Sequence, residues 1–457
     1  MSGGAERAEQ VYTEILARAP EHDLVPSLDR IAAVVGLLGD PQRSYQVVHV
    51  SGTNGKTSTT RLIERLLREH GLRTGRFTSP HLTDVRERIS LDGAALSREA
   101  FVAVYDEVRP YVDLVDAKSA EHGGPRMTFF EVLVAMAYAA FADAPVDVAA
   151  VEVGMGGSWD ATNVADGVVA VLTPIALDHE RFLGRDLVSI ATEKAGIIKP
   201  GAVAVLSRQP GPAAEVLLRR VAEVDATVAR EGVEFGVLRQ EVALGGQLLA
   251  LQGLAGVYEE VFLPLHGAHQ AGNAACALAA VEAFLGARAG DAGAGGLDPD
   301  LVRAAFADVD SPGRLEVVRR HPTVLVDAAH NPAGAEALAE ALTESFGFAR
   351  LVGLVGVMAD KDAEGILAAL EPVLDEIVVT RSASPRAMPV ADLAAIAGDI
   401  FGVERVHPAA QAVDALDLAI ELAEADAPAT GPAGAGVVAT GSITVAAEIR
   451  VLSGAVT

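Results

Sequence analysis

One segment restricts the fold of this chain more than any other, because a buried strand, a glycine loop and a helix follow one another there without a break. The apolar run Tyr45–Val50 leads at once into Ser51-Gly52-Thr53-Asn54-Gly55-Lys56-Thr57-Ser58. Beyond the loop, apolar residues recur at helical spacing, at Leu62, Ile63, Leu66 and Leu67. This order is typical of a parallel α/β sheet whose loop meets a ligand at a helix N-terminus.

The loop has the composition of a phosphate-binding loop. Glycines let backbone amides converge on phosphate oxygens, the lysine supplies a point charge, and the hydroxyl groups can reach magnesium or phosphate. A strict Walker A motif would require glycine where Val50 stands, and a purely structural turn is the alternative. The pattern favours phosphate binding by Gly52, Thr53, Asn54, Gly55, Lys56, Thr57 and Ser58.

The rest of the chain repeats the alternation of apolar strands and helical segments. Strands are predicted at Val146–Val153 and Val168–Leu172, and the turn-rich region from Val203 to Leu265 predicts an antiparallel extension. A fresh alternation begins after Asp308–Gly313, with strands at Val324–Val326, Leu351–Val357, Glu376–Thr380 and Val437–Thr440. The runs Gly286–Gly296 and Ala425–Gly436 are predicted to be surface loops.

This pattern predicts an α/β protein of two domains. The first, residues 1–309, is a P-loop-type domain with a mostly parallel sheet and an antiparallel extension. The second, residues 310–457, is a smaller Rossmann-like α/β domain.

Composition excludes several classes of protein. Acidic residues outnumber basic ones 62 to 36, and this net charge of -26 opposes binding of nucleic acid or an anionic membrane. The single cysteine, Cys276, excludes an intrachain disulfide and a multi-cysteine metal cluster. The N-terminal residues lack the pattern of a secretory signal, so we expect a cytoplasmic protein and, by default, a monomer.

Two polar residues, Glu152 and His179, follow strands whose ends should lie at the same edge of the sheet. Glu152 ends an apolar strand, where a carboxylate favours a metal-ligand role, and His179 follows the next strand, so both should face the same edge. Mg²⁺ prefers oxygen ligands, which leaves a role for His179 open. From the residues alone, Lys194 is most simply a solvated helix lysine.

The second domain carries its own polar cluster. Asp327, His330 and Asn331 follow a predicted strand, although helix capping alone could explain Asn331 and Asp327. Arg314 stands at the inter-domain hinge, where a guanidinium could reach a phosphate. A surface arginine is the alternative.

Taken together, these motifs resemble the folylpolyglutamate synthase/dihydrofolate synthase family of the Mur ligase superfamily. The resemblance extends across nearly the whole chain and is carried, in order, by Ser51-Gly52-Thr53-Asn54-Gly55-Lys56, Thr78-Ser79-Pro80-His81-Leu82, Glu87-Arg88-Ile89, Asp160-Ala161-Thr162-Asn163, Glu193-Lys194-Ala195-Gly196-Ile197, His269-Gln270-Ala271-Gly272-Asn273, Pro312-Gly313-Arg314 and Asp327-Ala328-Ala329-His330-Asn331-Pro332.

The resemblance implies roles for individual residues. Ser79, Glu152 and His179 match magnesium-binding positions, and Lys194 matches a lysine that CO2 carbamylates so that it can hold a second Mg²⁺. The positions that match nucleotide contacts are Asn273, Arg314, Asp327 and His330. The positions assigned to substrate are His81, Arg88 and Asp160. Lys56, Lys194 and His330 are the predicted catalytic residues.

The resemblance also implies a reaction. ATP would phosphorylate the carboxylate of a folate or of dihydropteroate, and L-glutamate would displace phosphate to form an amide. Arg86 and Ser158-Trp159 depart from the family's sequence pattern at positions that concern the recognition of pterin and glutamate. At Thr57 the sequence resembles that of the Mur enzymes.

Two other functions remain open from the sequence. A Mur-type ligase would add an amino acid to a UDP-linked cell-wall precursor, but only 50 residues precede Ser51, which is small for a UDP-binding domain. A non-catalytic ATP-dependent binding protein needs less metal-binding apparatus than Glu152, His179 and Lys194 supply.

Overall fold

The computed structural model describes residues 2–19, 26–289, 296–425 and 434–455. Its helices are α1 (Ser2–Leu16), α2 (Asp29–Leu37), α3 (Lys56–Glu69), α4 (Arg98–Glu121), α5 (Phe129–Asp143), α6 (Glu180–Leu183), α7 (Leu187–Ala195), α8 (Gly211–Glu223), α9 (Ala268–Ala289), α10 (Pro299–Ala307), α11 (Pro332–Ser345), α12 (Ala363–Leu370), α13 (Val390–Phe401), α14 (Ala412–Ala425) and α15 (Ile443–Leu452). Its strands are β1 (Gln46–Ser51), β2 (Thr74–Phe77), β3 (Ile89–Leu91), β4 (Ala94–Ala95), β5 (Val148–Glu152), β6 (Val169–Leu172), β7 (Val203–Leu206), β8 (Thr227–Arg230), β9 (Gly236–Ala243), β10 (Gly246–Gln252), β11 (Val257–Leu263), β12 (Glu316–Arg320), β13 (Thr323–Val326), β14 (Arg350–Val355), β15 (Glu376–Val379), β16 (Val406–Pro408) and β17 (Ala435–Thr440).

By internal contacts, the described residues group into two compact units. The first contains the chain up to Arg239 together with Leu249–Val261 and Gly272–Val309. The second contains Gln240–Leu248, Phe262–Ala271 and the chain from Asp310 onward. Two short segments before residue 310 therefore group with the second unit, which the prediction of a single boundary did not include.

The first unit is built on a mostly parallel sheet with the strand order β4-β3-β2-β5-β1-β6-β7-β8 in the described chain. β1 lies between β5 and β6 and is parallel to both, with Val50 opposite Glu152 and Ser51 opposite Leu172. Because parallel strands end at one edge, this register places the segments that follow β1, β5 and β6 side by side.

Antiparallel pairing in this sheet occurs at the β2/β3/β4 edge. β7 and β8, which the sequence analysis assigned to an antiparallel region, instead extend the parallel sheet from β6. The reason is α8, which buries Ala213, Val216, Leu217 and Val221 and supplies the crossover that parallel neighbours require. The strands β9, β10 and β11 form a separate sheet in the order β11-β10-β9.

α5 shows how the apolar content of the chain is used. Residues Phe129 to Phe141 are buried around its whole circumference, as expected for a helix enclosed in a core. Thr128 and Glu131 cap its N-terminus with reciprocal side-chain to backbone hydrogen bonds.

In the described ranges, no helix is long and apolar enough to cross a membrane.

The second unit has the predicted Rossmann-like architecture. Its sheet, with the order β12-β13-β17-β14-β15-β16 in the described part of the chain, is parallel except for the β12/β13 pair. One core packs α11, α12 and α13 against the sheet and another packs α14 and α15. Helices therefore cover both faces, as in doubly wound folds.

The loop prediction for Gly286–Gly296 needs correction. α9 continues to Ala289, because alanine and arginine favour helix and one glycine costs only about 1 kcal/mol. Residues 290–295 lie outside the described residues, as do 426–433 of the other predicted loop.

We predict that Arg76→Met destabilises the first unit by about 3 kcal/mol, because it removes the buried partner of the Glu64 carboxylate and leaves it paired with the partly exposed Arg68, whose Nε lies 3.8 Å from Glu64 Oε1. Arg76 Nη1 lies 3.1 Å from Glu64 Oε2, and both side chains are buried. Urea unfolding followed by the fluorescence of Trp159, the only tryptophan, reports on this unit.

The matched control is Arg219→Ala, which removes an exposed ion pair with Glu215 within α8. This change should cost no more than about 0.5 kcal/mol. Equal losses of unfolding free energy in the two variants would show that the Glu64–Arg76 pair stabilises the protein no more than an exposed ion pair does.

Candidate active site

The phosphate loop lies between the end of β1 at Ser51 and the start of α3 at Lys56. Gly52 and Gly55 have φ values of +145° and +85°, which other residues rarely adopt. A Cβ at Gly52 would lie 1.9 Å from Thr173 Oγ1, so the loop also packs too closely for a side chain there. The first N–H groups of α3 have no acceptor within the helix, which makes its N-terminus attractive to an anion.

Part of the loop is held by the segment that follows β6. The backbone N–H groups of Thr53 and Asn54 donate to the Pro174 carbonyl at 3.0 and 3.3 Å. The Thr53 hydroxyl donates to the Ala176 carbonyl at 3.0 Å and accepts from the Ala176 N–H at 3.0 Å. These two residues, predicted to contact ATP, thus also fix the shape of the loop.

Two lysines meet at one backbone carbonyl of the loop. Lys56 Nζ donates to the carbonyls of Gly52 and Thr53 at 3.2 and 3.0 Å, and Lys194 Nζ donates to Gly52 O at 2.6 Å. Lys194 is only 4% exposed, so it is not a solvated helix lysine. Burial and then the charge of Lys56 lower the pKa of Lys194 to about 7, against the opposing effects of Asp178 and Asp160.

Glu152 links two other predicted site residues, Thr57 and Ser79. This buried carboxylate at the end of β5 accepts the Thr57 hydroxyl on Oε1 at 2.9 Å and the Ser79 N–H on Oε2 at 3.2 Å. Ser79 follows β2, the strand next to β5. The carboxylate and the two hydroxyl-bearing residues supply the oxygen donors that Mg²⁺ prefers.

His179 follows β6, which lies on the other side of β1 from β5, and has a left-handed backbone with φ of +52°. Its side chain is 33% exposed, and its backbone N–H donates to Asp178 Oδ1 at 2.7 Å. Sequence reasoning missed Asp178, a buried carboxylate whose position beside His179 was the available signal. Among described residues, no three His, Cys, Asp or Glu side chains group as a metal site, so any ion here would rely on hydroxyl, phosphate or water oxygens as well.

His81 and Arg88 form a second cluster with residues from other elements. Arg88 Nε donates to His81 Nδ1 at 2.9 Å, and the buried guanidinium lies 5.1 Å from the centre of the Phe129 ring. Because arginine only donates, His81 carries its proton on Nε2, which lies 3.4 Å from the Tyr12 hydroxyl. Tyr12 and Phe129 were missed, since no local pattern connects α1 and α5 with this motif.

The carboxylate of Asp160, which is predicted to lie near the substrate, accepts hydrogen bonds from residues of its own loop. Its Oδ1 accepts the Thr162 N–H and hydroxyl, and its Oδ2 accepts the Met155 N–H. Burial raises the pKa of this carboxyl, and these hydrogen bonds oppose the rise. In this structure Asp160 therefore shapes the loop after β5.

Asn273, on α9, packs against the phosphate loop. It is buried, and its Oδ1 lies 2.5 Å from the position that a Cβ on Gly55 would take. The structure thus brings this predicted nucleotide contact to the first turn of α3.

The polar cluster of the second unit surrounds the end of β13. Asp327 is buried and accepts the backbone N–H groups of Leu315 and Ala329, each at 2.8 Å. Burial raises the pKa of Asp327, and the charge of Arg314 opposes this rise. His330 Nδ1 lies 2.9 Å from its acceptor, the Ala328 carbonyl, so the proton sits on Nδ1. Arg314, Asp327 and His330 are therefore close together within this unit.

Comparisons with known proteins give a consistent result. Residues 313–442 match the family described as Mur ligase, glutamate ligase domain. The chain is 55% identical over 451 residues to the dihydrofolate synthase/folylpolyglutamate synthase of Mycobacterium tuberculosis, covering 96% of this chain and 92% of that protein. It is 35% identical over 370 residues to the Bacillus subtilis protein of the same name, covering 80% and 84% of the two chains.

Two solved structures have the same fold over almost their whole length. The Mycobacterium tuberculosis folylpolyglutamate synthase complexed with ADP and AMPPCP aligns with a TM-score of 0.92 and 53% identity, over 99% of both chains. The Escherichia coli FolC protein in complex with DHPP and ADP aligns with a TM-score of 0.81 and 29% identity, over 98% of both chains.

We predict that Gly55→Ala destabilises the first unit more than Gly39→Ala does. Both glycines have a similar positive φ, of +85° and +84°, but nothing lies within 4 Å of a Cβ at Gly39. The additional loss at Gly55, about 1–3 kcal/mol, is the cost of displacing Asn273. Fluorescence-monitored urea unfolding measures both variants. Equal losses would mean that Asn273 moves aside without cost.

Proposed function

Because the chain belongs to the folylpolyglutamate synthase/dihydrofolate synthase family of Mur ligases, it is an ATP-dependent ligase that joins L-glutamate to folate, and we propose that it also accepts dihydropteroate. The observation that carries the site assignment is Glu152, whose buried carboxylate links the Thr57 hydroxyl to the Ser79 backbone beside the phosphate loop. Localisation in the cytoplasm and a monomeric state stay predictions.

We propose that the reaction passes through an acyl phosphate. A carboxylate is a poor electrophile, so an oxygen of the acceptor carboxylate attacks the γ-phosphorus of ATP and ADP leaves. The glutamate amine then attacks the acyl carbon, loses a proton and expels phosphate. Lys56 offsets charge on the transferring phosphoryl group, and the N-terminus of α3 receives the phosphates.

The residues present fit a magnesium ion beside this loop. Glu152, Ser79 and His179 would hold it, and a hard cation suits the carboxylate and hydroxyl oxygens among them. When bound, Mg²⁺ neutralises charge on the phosphates during transfer. In the second unit, Arg314, Asp327 and His330 are proposed to contact the nucleotide, with His330 also in a catalytic role.

We propose that Lys194 is carbamylated and, in that form, holds a second Mg²⁺. The neutral amine attacks CO2, forms an N–C bond and releases one proton, which leaves a carboxylate-like group. Its pKa of about 7 gives Lys194 a large neutral fraction at neutral pH, whereas an exposed lysine has almost none. Carbamylation would also replace the ammonium form of Lys194, which repels Lys56, with an anion that attracts it.

The experiment that tests the function is ADP release with ATP, Mg²⁺ and L-glutamate. Dihydropteroate, tetrahydrofolate and a UDP-linked cell-wall precursor are compared as acceptors. Turnover with both pterins supports the bifunctional assignment, and turnover with tetrahydrofolate alone overturns its dihydropteroate part. Activity restricted to the UDP-linked precursor would overturn the folate assignment.

We predict that Lys56→Ala lowers kcat by about a hundredfold or more, because the transferring phosphoryl group loses its charge partner. Circular dichroism should show an unchanged fold. Lys118→Ala, which removes an exposed lysine from α4, is the control and should retain full activity. A Lys56→Ala enzyme with near-normal turnover would disprove the phosphate-loop assignment.

We predict that protein incubated with ¹³C-bicarbonate gives a carbamate resonance in its ¹³C NMR spectrum, and that Lys194→Ala abolishes it. Lys199→Ala is the matched control, because burial also lowers the pKa of this half-buried lysine. Acetate should partly restore the activity of Lys194→Ala by supplying a carboxylate. Full activity of this variant without acetate, or loss of the resonance in Lys199→Ala, would argue against the proposal.

A further inference from the structure

The segment Thr173–Ala176, which follows β6, supports the phosphate loop from one side. Its Pro174 carbonyl accepts the N–H groups of Thr53 and Asn54. Thr173 donates its own N–H to Ser51 O at 2.8 Å. The Pro174 carbonyl is therefore one of the groups that hold the first half of the phosphate loop in place.

The side chain of Gln209 makes three hydrogen bonds to this part of the chain. Its Nε2 donates to the carbonyls of Leu172 and Thr173 at 3.2 and 3.0 Å, and its Oε1 accepts the N–H of Ile175 at 3.0 Å. Two of the bonded residues, Thr173 and Ile175, lie immediately before and after Pro174. One side chain thus fixes both neighbours of the carbonyl that holds the loop.

The amide of Gln209 continues the β6/β7 pairing beyond the end of β7. The backbone ladder pairs Leu172 with Leu206, and the Ser207 N–H still donates to Leu172 O at 3.0 Å. The chain then turns at Pro210 into α8. A side-chain amide has two hydrogen-bond donors and an acceptor oxygen, so it can both donate and accept as a backbone peptide group does. A carboxylate of the same shape has acceptor oxygens only.

We propose that Gln209 is a positioning residue for the phosphate loop. Its amide fixes residues 172–175, and the Pro174 carbonyl passes this constraint to Thr53 and Asn54. The inference rests on the proposed function, because it concerns ATP binding at that loop. It assigns no contact between Gln209 and the nucleotide.

A purely structural role predicts a different result from a positioning role. Gln252 is also half-buried and donates its side-chain amide to two loop carbonyls, those of Gly253 and Gly256 at 2.8 and 3.4 Å. Gln252 belongs to β10, on the separate sheet. If Gln209 were only structural, changes at the two glutamines would alter stability alike and leave nucleotide binding unaffected.

The test compares Gln209→Glu, Gln209→Ala and the control Gln252→Glu in the full-length protein. Gln209→Glu keeps the shape of the side chain but turns acceptor oxygens toward the Leu172 and Thr173 carbonyls. Gln209→Ala removes the contacts and leaves room for water, so of the two Gln209 variants it is the one expected to fold better. Circular dichroism and thermal unfolding identify the temperature at which all three are folded.

At that temperature we expect kcat/KM for ATP to fall about ten- to a hundredfold in Gln209→Glu and less in Gln209→Ala. KM for folate and for L-glutamate should not change. Titration calorimetry with AMPPCP and Mg²⁺ should show the same loss of affinity. Gln252→Glu should match the wild type in both measurements.

The outcomes separate the two proposals. Wild-type protein that fails to bind AMPPCP contradicts the proposed function itself. Wild-type protein that binds it, together with Gln209 variants that bind equally well while folded, overturns the positioning role alone. Equal increases in KM for ATP, folate and glutamate would also overturn that role, because they indicate general disorder of the site.

Discussion

The parallel pairing of β1 with β5 and β6 is the constraint on which the active site depends. Its register sets Val50 beside Glu152 and Ser51 beside Leu172, so three chain segments leave the sheet at one level. The phosphate loop, the Glu152 carboxylate and the His179 segment follow from these ends. A shift of one residue in any of the strands would turn its last side chain to the other face of the sheet.

Charged groups at this edge make hydrogen bonds to neutral groups of the protein. The ammonium groups of Lys56 and Lys194 share the Gly52 carbonyl, while Glu152 accepts a hydroxyl and an amide. Buried charges are costly unless their hydrogen-bonding capacity is used. Donors and acceptors that a fold holds in fixed positions reduce the reorganisation needed when phosphate charge develops.

Local patterns in the sequence predicted much of the fold. The strands at β1, β5, β6 and β13 and the glycine loop lie within one or two residues of the predicted bounds, because buried strands with turn residues at their ends have a clear local signature. The region of β7 and β8 was misassigned because short apolar strands look alike in either direction. Their orientation depends on whether a helix connects them, and α8 was not recognised.

The sequence by itself determined the fixed order of glycines, lysine and hydroxyls that predicts a phosphate loop, and it therefore predicted which residues carry the chemistry. Only the tertiary structure decided the environment of each group. Lys194 appears as a helix lysine in sequence, yet packing buries it against Gly52 and changes its pKa. Tyr12 and Gln209 reach their partners across 69 and 34–37 residues of chain. Local periodicity carries no information about such contacts, because they exist only once the helices and strands have packed together.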